Sequence, residues 1–183
     1  MIRWPFTLNP EEIMVLTRDE LIASLQHEVR ILVHLCSKMD PSMLDYRPTP
    51  KQRSMMELLR YLTTMGPHLV RNARTGQFDV AAWQADAKAA EGRDFAQTVA
   101  VLAAQSEFYA KELAGWSEAE FRGQIEMFGN KSSRGQFLVN LVLGGCAAYR
   151  TQLFLYLKAC GREELGTMNL WGGVDAPAPA VAG

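Results

Sequence analysis

Residues 54–70 read Ser-Met-Met-Glu-Leu-Leu-Arg-Tyr-Leu-Thr-Thr-Met-Gly-Pro-His-Leu-Val. Ser54 with Glu57 three residues on is a capping-box pattern, in which hydroxyl and carboxylate each satisfy a backbone N–H that the first turn of a helix leaves open. Behind it Met55, Leu58, Leu59, Leu62, Met65, Leu69 and Val70 recur at three- and four-residue steps. That spacing makes one apolar stripe on a helix and predicts an amphipathic helix over 54–75, closed by Gly76. Gly66-Pro67 lies inside the stripe. Proline removes a backbone donor and crowds the preceding turn, so a kink is expected there, the competing reading being a helix that stops at Met65.

Three more segments repeat this arrangement. Thr17 with Glu20 opens a stripe of Leu21, Leu25, Val29, Leu32, Val33 and Cys36, ended by Asp40-Pro41, which predicts a helix over 17–40. Asp94 with Gln97 opens Phe95, Val99, Leu102, Ser106, Tyr109 and Leu113, with Gly115 as the stop, a helix over 93–115. Ser133 with Gln136 opens the last helix, 134–160, which is apolar nearly all round between Phe137 and Ala148 and stops at Gly161. A helix of that kind is enclosed on most sides, by its own bundle or by a second subunit. The alanine-rich 77–92 link suggests a short helix around Ala81 to Ala90. Ser117 to Glu120 suggests one helical turn, and Ile125 to Phe128 leads into a turn signal at Gly129-Asn130. No alternating strand pattern exceeds a few residues. The expectation is a single all-α domain over 1–173, a four-helix bundle, with a flexible tail over 174–183.

Composition narrows the function classes. The chain has 183 residues, 48% hydrophobic and 21% charged, enough to bury one domain core. Its formal net charge of −1 lacks the basic footprint of nucleic-acid binding. The three cysteines, Cys36, Cys146 and Cys160, show no C-x-x-C spacing, which argues against a disulfide framework and for a reducing cytoplasm. Met1 to Pro5 lacks the apolar core of a signal peptide, and the apolar run Phe137 to Tyr149 is short of about 20 residues, so no membrane span is expected.

Two fragments carry a family resemblance. Arg47-Pro48 followed by Arg53-Ser54-Met55-Met56-Glu57-Leu58-Leu59 resembles a proline and then W-S-x-x-E-L. Tyr149-Arg150-Thr151-Gln152-Leu153, with Tyr156-Leu157-Lys158 and Gly161, resembles H-R-G-Q-L-x-x-Y-L-R-x-x-G. In this order and spacing they are similar to the DinB-like superfamily, over about residues 17 to 173. The resemblance implies a four-helix bundle, a homodimer, and a divalent metal held by three histidines. Counted onto this chain, those positions are Tyr61, Gly145 and Tyr149, and none is histidine. Neutral imidazole is the usual ligand for zinc or nickel; glycine has no side-chain donor, and a phenol of pKa about 10 binds iron only as phenolate. No metal or other cofactor is therefore expected, the alternative being a divalent ion such as Zn, Ni or Fe held by other ligands.

The candidate ligand site is Tyr61, Gly145, Tyr149 and His68. If the bundle brings the tyrosines together, two phenols can hydrogen-bond a small molecule beside Gly145, or else fill the space themselves. Gly144-Gly145 in mid-helix costs about 1 kcal/mol per glycine relative to alanine, which close packing or room for a ligand would offset. His68 lies on the flank of Tyr61 and can reach the same cleft. His27 and His34 share a face opposite the apolar stripe and read as a solvated or interface face. Three readings stand: a metal-free bundle binding a small molecule or partner, a divalent-metal-dependent, thiol-linked transferase, isomerase or hydrolase, and a stress-response interaction protein without a small-molecule site.

Overall fold

Ser54 and Glu57 close the expected capping box: Glu57 N–H donates to the Ser54 hydroxyl at 3.2 Å and Ser54 N–H to the Glu57 carboxylate at 2.8 Å. A computed structural model describes residues 16–177. Met1 to Pro5 and the tail beyond residue 177 lie outside the described residues. The same reciprocal box opens α1 (Arg18–Cys36) at Thr17 and α4 (Phe95–Ala114) at Asp94. Helix α2 (Met55–Thr75) runs through Pro67 rather than stopping at Met65, and ends on Gly76 at φ 74°, a left-handed cap that suits glycine. Asp79 caps α3 (Val80–Glu91) and Ser117 caps the single turn α5 (Glu118–Arg122).

The last long helix is composite. It comprises α6 (Arg134–Phe137), a π-helical stretch Leu138–Leu143, and α7 (Gly144–Ala159). Gly144 N–H reaches back five residues to Val139 O. One residue is thus inserted into the helical repeat, which rotates the side chains before Gly144 relative to those after it.

The architecture is an all-α four-helix bundle. Helix α1 packs mainly on α4, α2 on α4 and α3, and α7 rests on both α1 and α2. The core joins Leu25, Leu32 and Leu35 of α1 to Leu58, Leu59 and Leu62 of α2, Leu102 and Leu113 of α4, and Leu138, Val142, Leu153 and Leu157 of the composite helix. Arg134–Ala159 is long and apolar enough to cross a membrane by length and composition, and 28% of its most apolar window is buried in the bundle.

Two features depart from the sequence reading. A two-stranded antiparallel hairpin joins β1 (Gln124–Met127) to β2 (Asn130–Ser133), with Met127 opposite Asn130. Its turn residues are Phe128 at φ 54° and Gly129 at φ 75°, one residue earlier than the Gly129-Asn130 signal. Positive φ at both central positions gives the hairpin twist its strands require. Only Ile125 and Met127 point inward, too few for a legible alternation.

The second departure concerns the face of His27 and His34, which is covered by the chain's own C-terminal segment. A π turn at Met168–Gly172 lies along α1. His27 Nε2 is 2.8 Å from Trp171 O, and His34 Nε2 is 3.0 Å from Asn169 Nδ2. Gly173, at φ 63°, is so close to Ile31 that a Cβ would sit 3.1 Å from its Cα. Of the expected tail, residues 174–177 are described, and there Asp175 pairs with Lys38 at 2.6 Å.

Candidate functional site

Helices α2 and α7 bring Tyr61 and Tyr149 together. Their ring centroids lie 5.2 Å apart at 71°, an edge-to-face contact. Gly145, one turn before Tyr149, faces Met65: a Cβ there would lie 3.2 Å from the Met65 Cε and Sδ. The missing side chain lets Met65 pack directly against the backbone of α7. Beside the ring pair, a groove of about 400 Å³ opens between Tyr61, Tyr149, Gly145, Met65, Leu69 and Leu141. The two phenols therefore fill part of the space between the helices and wall the rest.

Three aromatic side chains that the sequence reading did not single out complete the groove. Trp83 of α3 meets Tyr61 edge-on at 6.0 Å, and Phe78 lies 5.6 Å from Trp83. Phe128 at the hairpin turn is 5.4 Å from Phe78 and stacked on Phe137 at 6.4 Å. A bulky residue at positive φ is strained by order 1–3 kcal/mol and persists only where its surroundings fix it. Here the two phenylalanine contacts hold a 56% exposed ring at the rim. Asn140 and Leu141, both in the π stretch, supply the remaining wall.

His68 is not part of this lining. It is buried and turned toward α3, with Nε2 2.7 Å from an Asp86 carboxylate oxygen and its ring against Trp83 at 5.5 Å. It braces Trp83 from behind and touches the groove only through it.

Protonation favours neutral groups. Burial, and next the adjacent Tyr149 phenol, push Tyr61 up to about 12, so it is a hydrogen-bonding hydroxyl. Burial likewise pushes Cys146, next to Gly145, up to about 12, which leaves no thiolate for nucleophilic attack. A divalent ion does not fit these donors: the helices present two phenols and a glycine, and among the described residues no three His, Cys, Asp or Glu side chains gather.

Tyr61 and Trp83 also form one wall of a second, adjoining depression, of about 490 Å³, between α2 and α3. There Arg53 lays its guanidinium 4.0 Å over the Tyr61 ring.

No family model matches the sequence, and no curated protein does. Among solved structures, the chain is similar to a DinB-like protein, YjoA, from Bacillus subtilis, whose crystal structure was determined at 2.30 Å resolution. The two share 17% identity, with 81% of this chain and 96% of that one covered at a TM-score of 0.62. The chain therefore has the DinB-like fold.

Proposed function

We propose that the protein is a metal-free DinB-like bundle that binds a small molecule with an apolar or aromatic body in the groove beside Tyr61, Gly145 and Tyr149. One observation carries this reading. Between α2 and α7, where the resemblance implies a three-histidine centre, the chain presents a glycine, two phenols and an open aromatic-walled groove of about 400 Å³. Such a groove, apolar with a few convergent polar groups, is the ordinary form of a small-molecule site. Tyr61 and Tyr149 hydroxyls and the Asn140 amide are the polar groups, and they orient the ligand by hydrogen bonds. The transferase, isomerase or hydrolase reading needs an activating cation or thiolate, and these residues supply neither. The interaction-protein reading leaves the groove without a purpose.

The test is a calorimetric titration with 1-naphthaleneacetamide, a neutral aromatic probe, followed in parallel by the methyl resonance of Met65. Saturable binding with a shift at Met65 is expected. Gly145→Leu presses a side chain onto Met65 and into the groove, so it should abolish binding in a variant whose far-UV circular dichroism remains that of the wild type. No binding to the wild type, or binding unchanged in the variant, would refute the reading.

A second proposal follows from the composite helix. Its outward stripe of Leu141, Gly144, Ala148, Thr151 and Leu155 is uncharged, with Leu141 38% and Leu155 57% exposed. The bundle leaves this face open, and we propose that a second copy of the chain covers it, in the cytoplasm that three unpaired thiols suit. Sedimentation should give a dimer at micromolar concentration and a monomer for Leu155→Glu. A monomeric wild type contradicts it.

A further inference from the structure

We propose that the groove's ligand is an amphipathic monocarboxylic acid, its apolar body beside Tyr61 and Tyr149 and its carboxylate against Arg53 and Arg60. This rests on the groove reading above and names the chemistry of its ligand. Tyr61 and Trp83 are a shared wall: one side faces the groove, the other faces the second depression. The two spaces differ in charge. No charged side chain lines the groove, whereas Arg53, Arg60, Glu57 and Glu91 line the depression.

With Arg47, which pairs with Glu57 beside the depression, three cations face two carboxylates. Glu57 is committed to its own helix, accepting from Ser54 N–H at 2.8 Å, and to Arg47 at 3.1 Å. Arg60 donates Nε and Nη2 to the Arg93 carbonyl, at 3.2 and 2.5 Å, which fixes its guanidinium without neutralising it. Neither Arg53 nor Arg60 pairs with a carboxylate among the described residues. Against these two cations stands Glu91, exposed on the rim. The depression is thus left with about one positive charge, which suits a monoanion better than a dianion.

Geometry favours a carboxylate. A guanidinium laid on an aromatic face keeps its edge N–H groups free, and that fork matches the two oxygens of a carboxylate. Arg53 sits on the Tyr61 ring that also lines the groove, so an acid whose body lies beside Tyr61 can set its carboxylate at the Arg53 edge. A neutral ligand of the same shape gains only the groove.

The matched pair 1-naphthaleneacetate and 1-naphthaleneacetamide isolates the charge, and both are titrated calorimetrically into the whole chain. The acid is expected to bind about tenfold tighter than the amide, the size of one charge-assisted hydrogen bond. Raising the salt should shrink that preference. Arg53→Gln, at an exposed position, should bring the acid to the affinity of the amide, with far-UV circular dichroism reporting that the variant is folded. Glu91→Gln should tighten the acid alone. An acid no tighter than the amide, or a preference that survives both Arg53→Gln and Arg60→Gln, overturns this proposal and leaves the groove reading standing. Failure of both probes to bind sinks the two together.

Discussion

Replacing Gly66 by alanine tests how closely α2 and α4 approach at the turn before Pro67. A Cβ at Gly66 would lie 2.0 Å from the Tyr109 hydroxyl oxygen and 3.2 Å from Cζ. That oxygen is held: Tyr109 is fully buried, and its hydroxyl donates to Gln105 Oε1 at 3.1 Å. Gln105 Nε2 in turn donates to Leu62 O, one turn back on α2, at 2.9 Å. The tyrosine can make room only by giving up its bond to Gln105, the side chain that ties α4 to α2. Overpacking costs about 1–3 kcal/mol, and a lost buried hydrogen bond about 1–3 kcal/mol more. Alanine recovers about 1 kcal/mol of helix propensity. The expected net loss is about 2–3 kcal/mol, or a Tm about 5–10 °C lower for a chain of this size. Urea unfolding followed by far-UV circular dichroism measures it. Tyr109→Phe removes the clashing oxygen, so the double variant should be more stable than the sum of single effects by about 1 kcal/mol or more. A Gly66→Ala protein as stable as the wild type, or strictly additive variants, would refute the reasoning.

Other outcomes are open to simpler measurements. Arg150 and Glu28 form a buried ion pair at 2.9 Å whose facing atoms are not aligned as a hydrogen bond, and Arg150 also donates to Leu170 O. Arg150→Met alone should cost about 3–5 kcal/mol by stranding the carboxylate, and Glu28→Leu in the same chain should recover much of that in urea unfolding. The Ser54 N–H holds the Glu57 carboxyl below its ordinary 4.5, with burial opposing and Arg47 assisting. Its stabilisation is complete above about pH 4.5 and lost as the pH falls through the lower folded value, so Glu57→Gln should flatten the acid limb of a Tm–pH profile. Glu28, raised by burial, has the opposite sign, its share of stability being lost as the pH rises. Burial pushes Cys36 and Cys146 up to about 12 while Cys160 is only partly buried, so a disulfide reagent at mild alkaline pH should titrate one thiol promptly and all three after denaturation.

The helices were legible because their signals are local. Each capping box places a hydroxyl or carboxylate three residues before its partner, and each stripe keeps one period. The short helix in the 77–92 link and the turn after Ser117 were legible for the same reason. The π stretch was not, because one inserted residue leaves an apolar run looking apolar at any period; only the Val139–Gly144 bond discloses it. Tyr61, Gly145 and Tyr149 were placed together from the resemblance, and the bundle does bring them side by side. Their partners were missed because Phe78 sits in a link, Phe128 in a turn and Trp83 in a short alanine-rich helix, where no apolar stripe marks an inward direction. The available signal was a pair of large aromatics, Phe78 and Trp83, in an otherwise small or polar link, and Phe128 beside the turn glycine. His68 was read toward the cleft because position on a helix does not say which neighbour a side chain meets, and Asp86 of α3 turns it away. The covering of His27 and His34 was invisible for a similar reason: Trp171 meets His27 through its backbone carbonyl, which every residue has.

The most direct test is elemental analysis of tag-free protein, incubated with zinc and nickel and then desalted. Phenols and a glycine between α2 and α7 should retain far less than one ion per chain. A stoichiometric ion bound tightly enough to survive desalting, and lost when Tyr61 and Tyr149 are replaced by phenylalanine, would contradict the account.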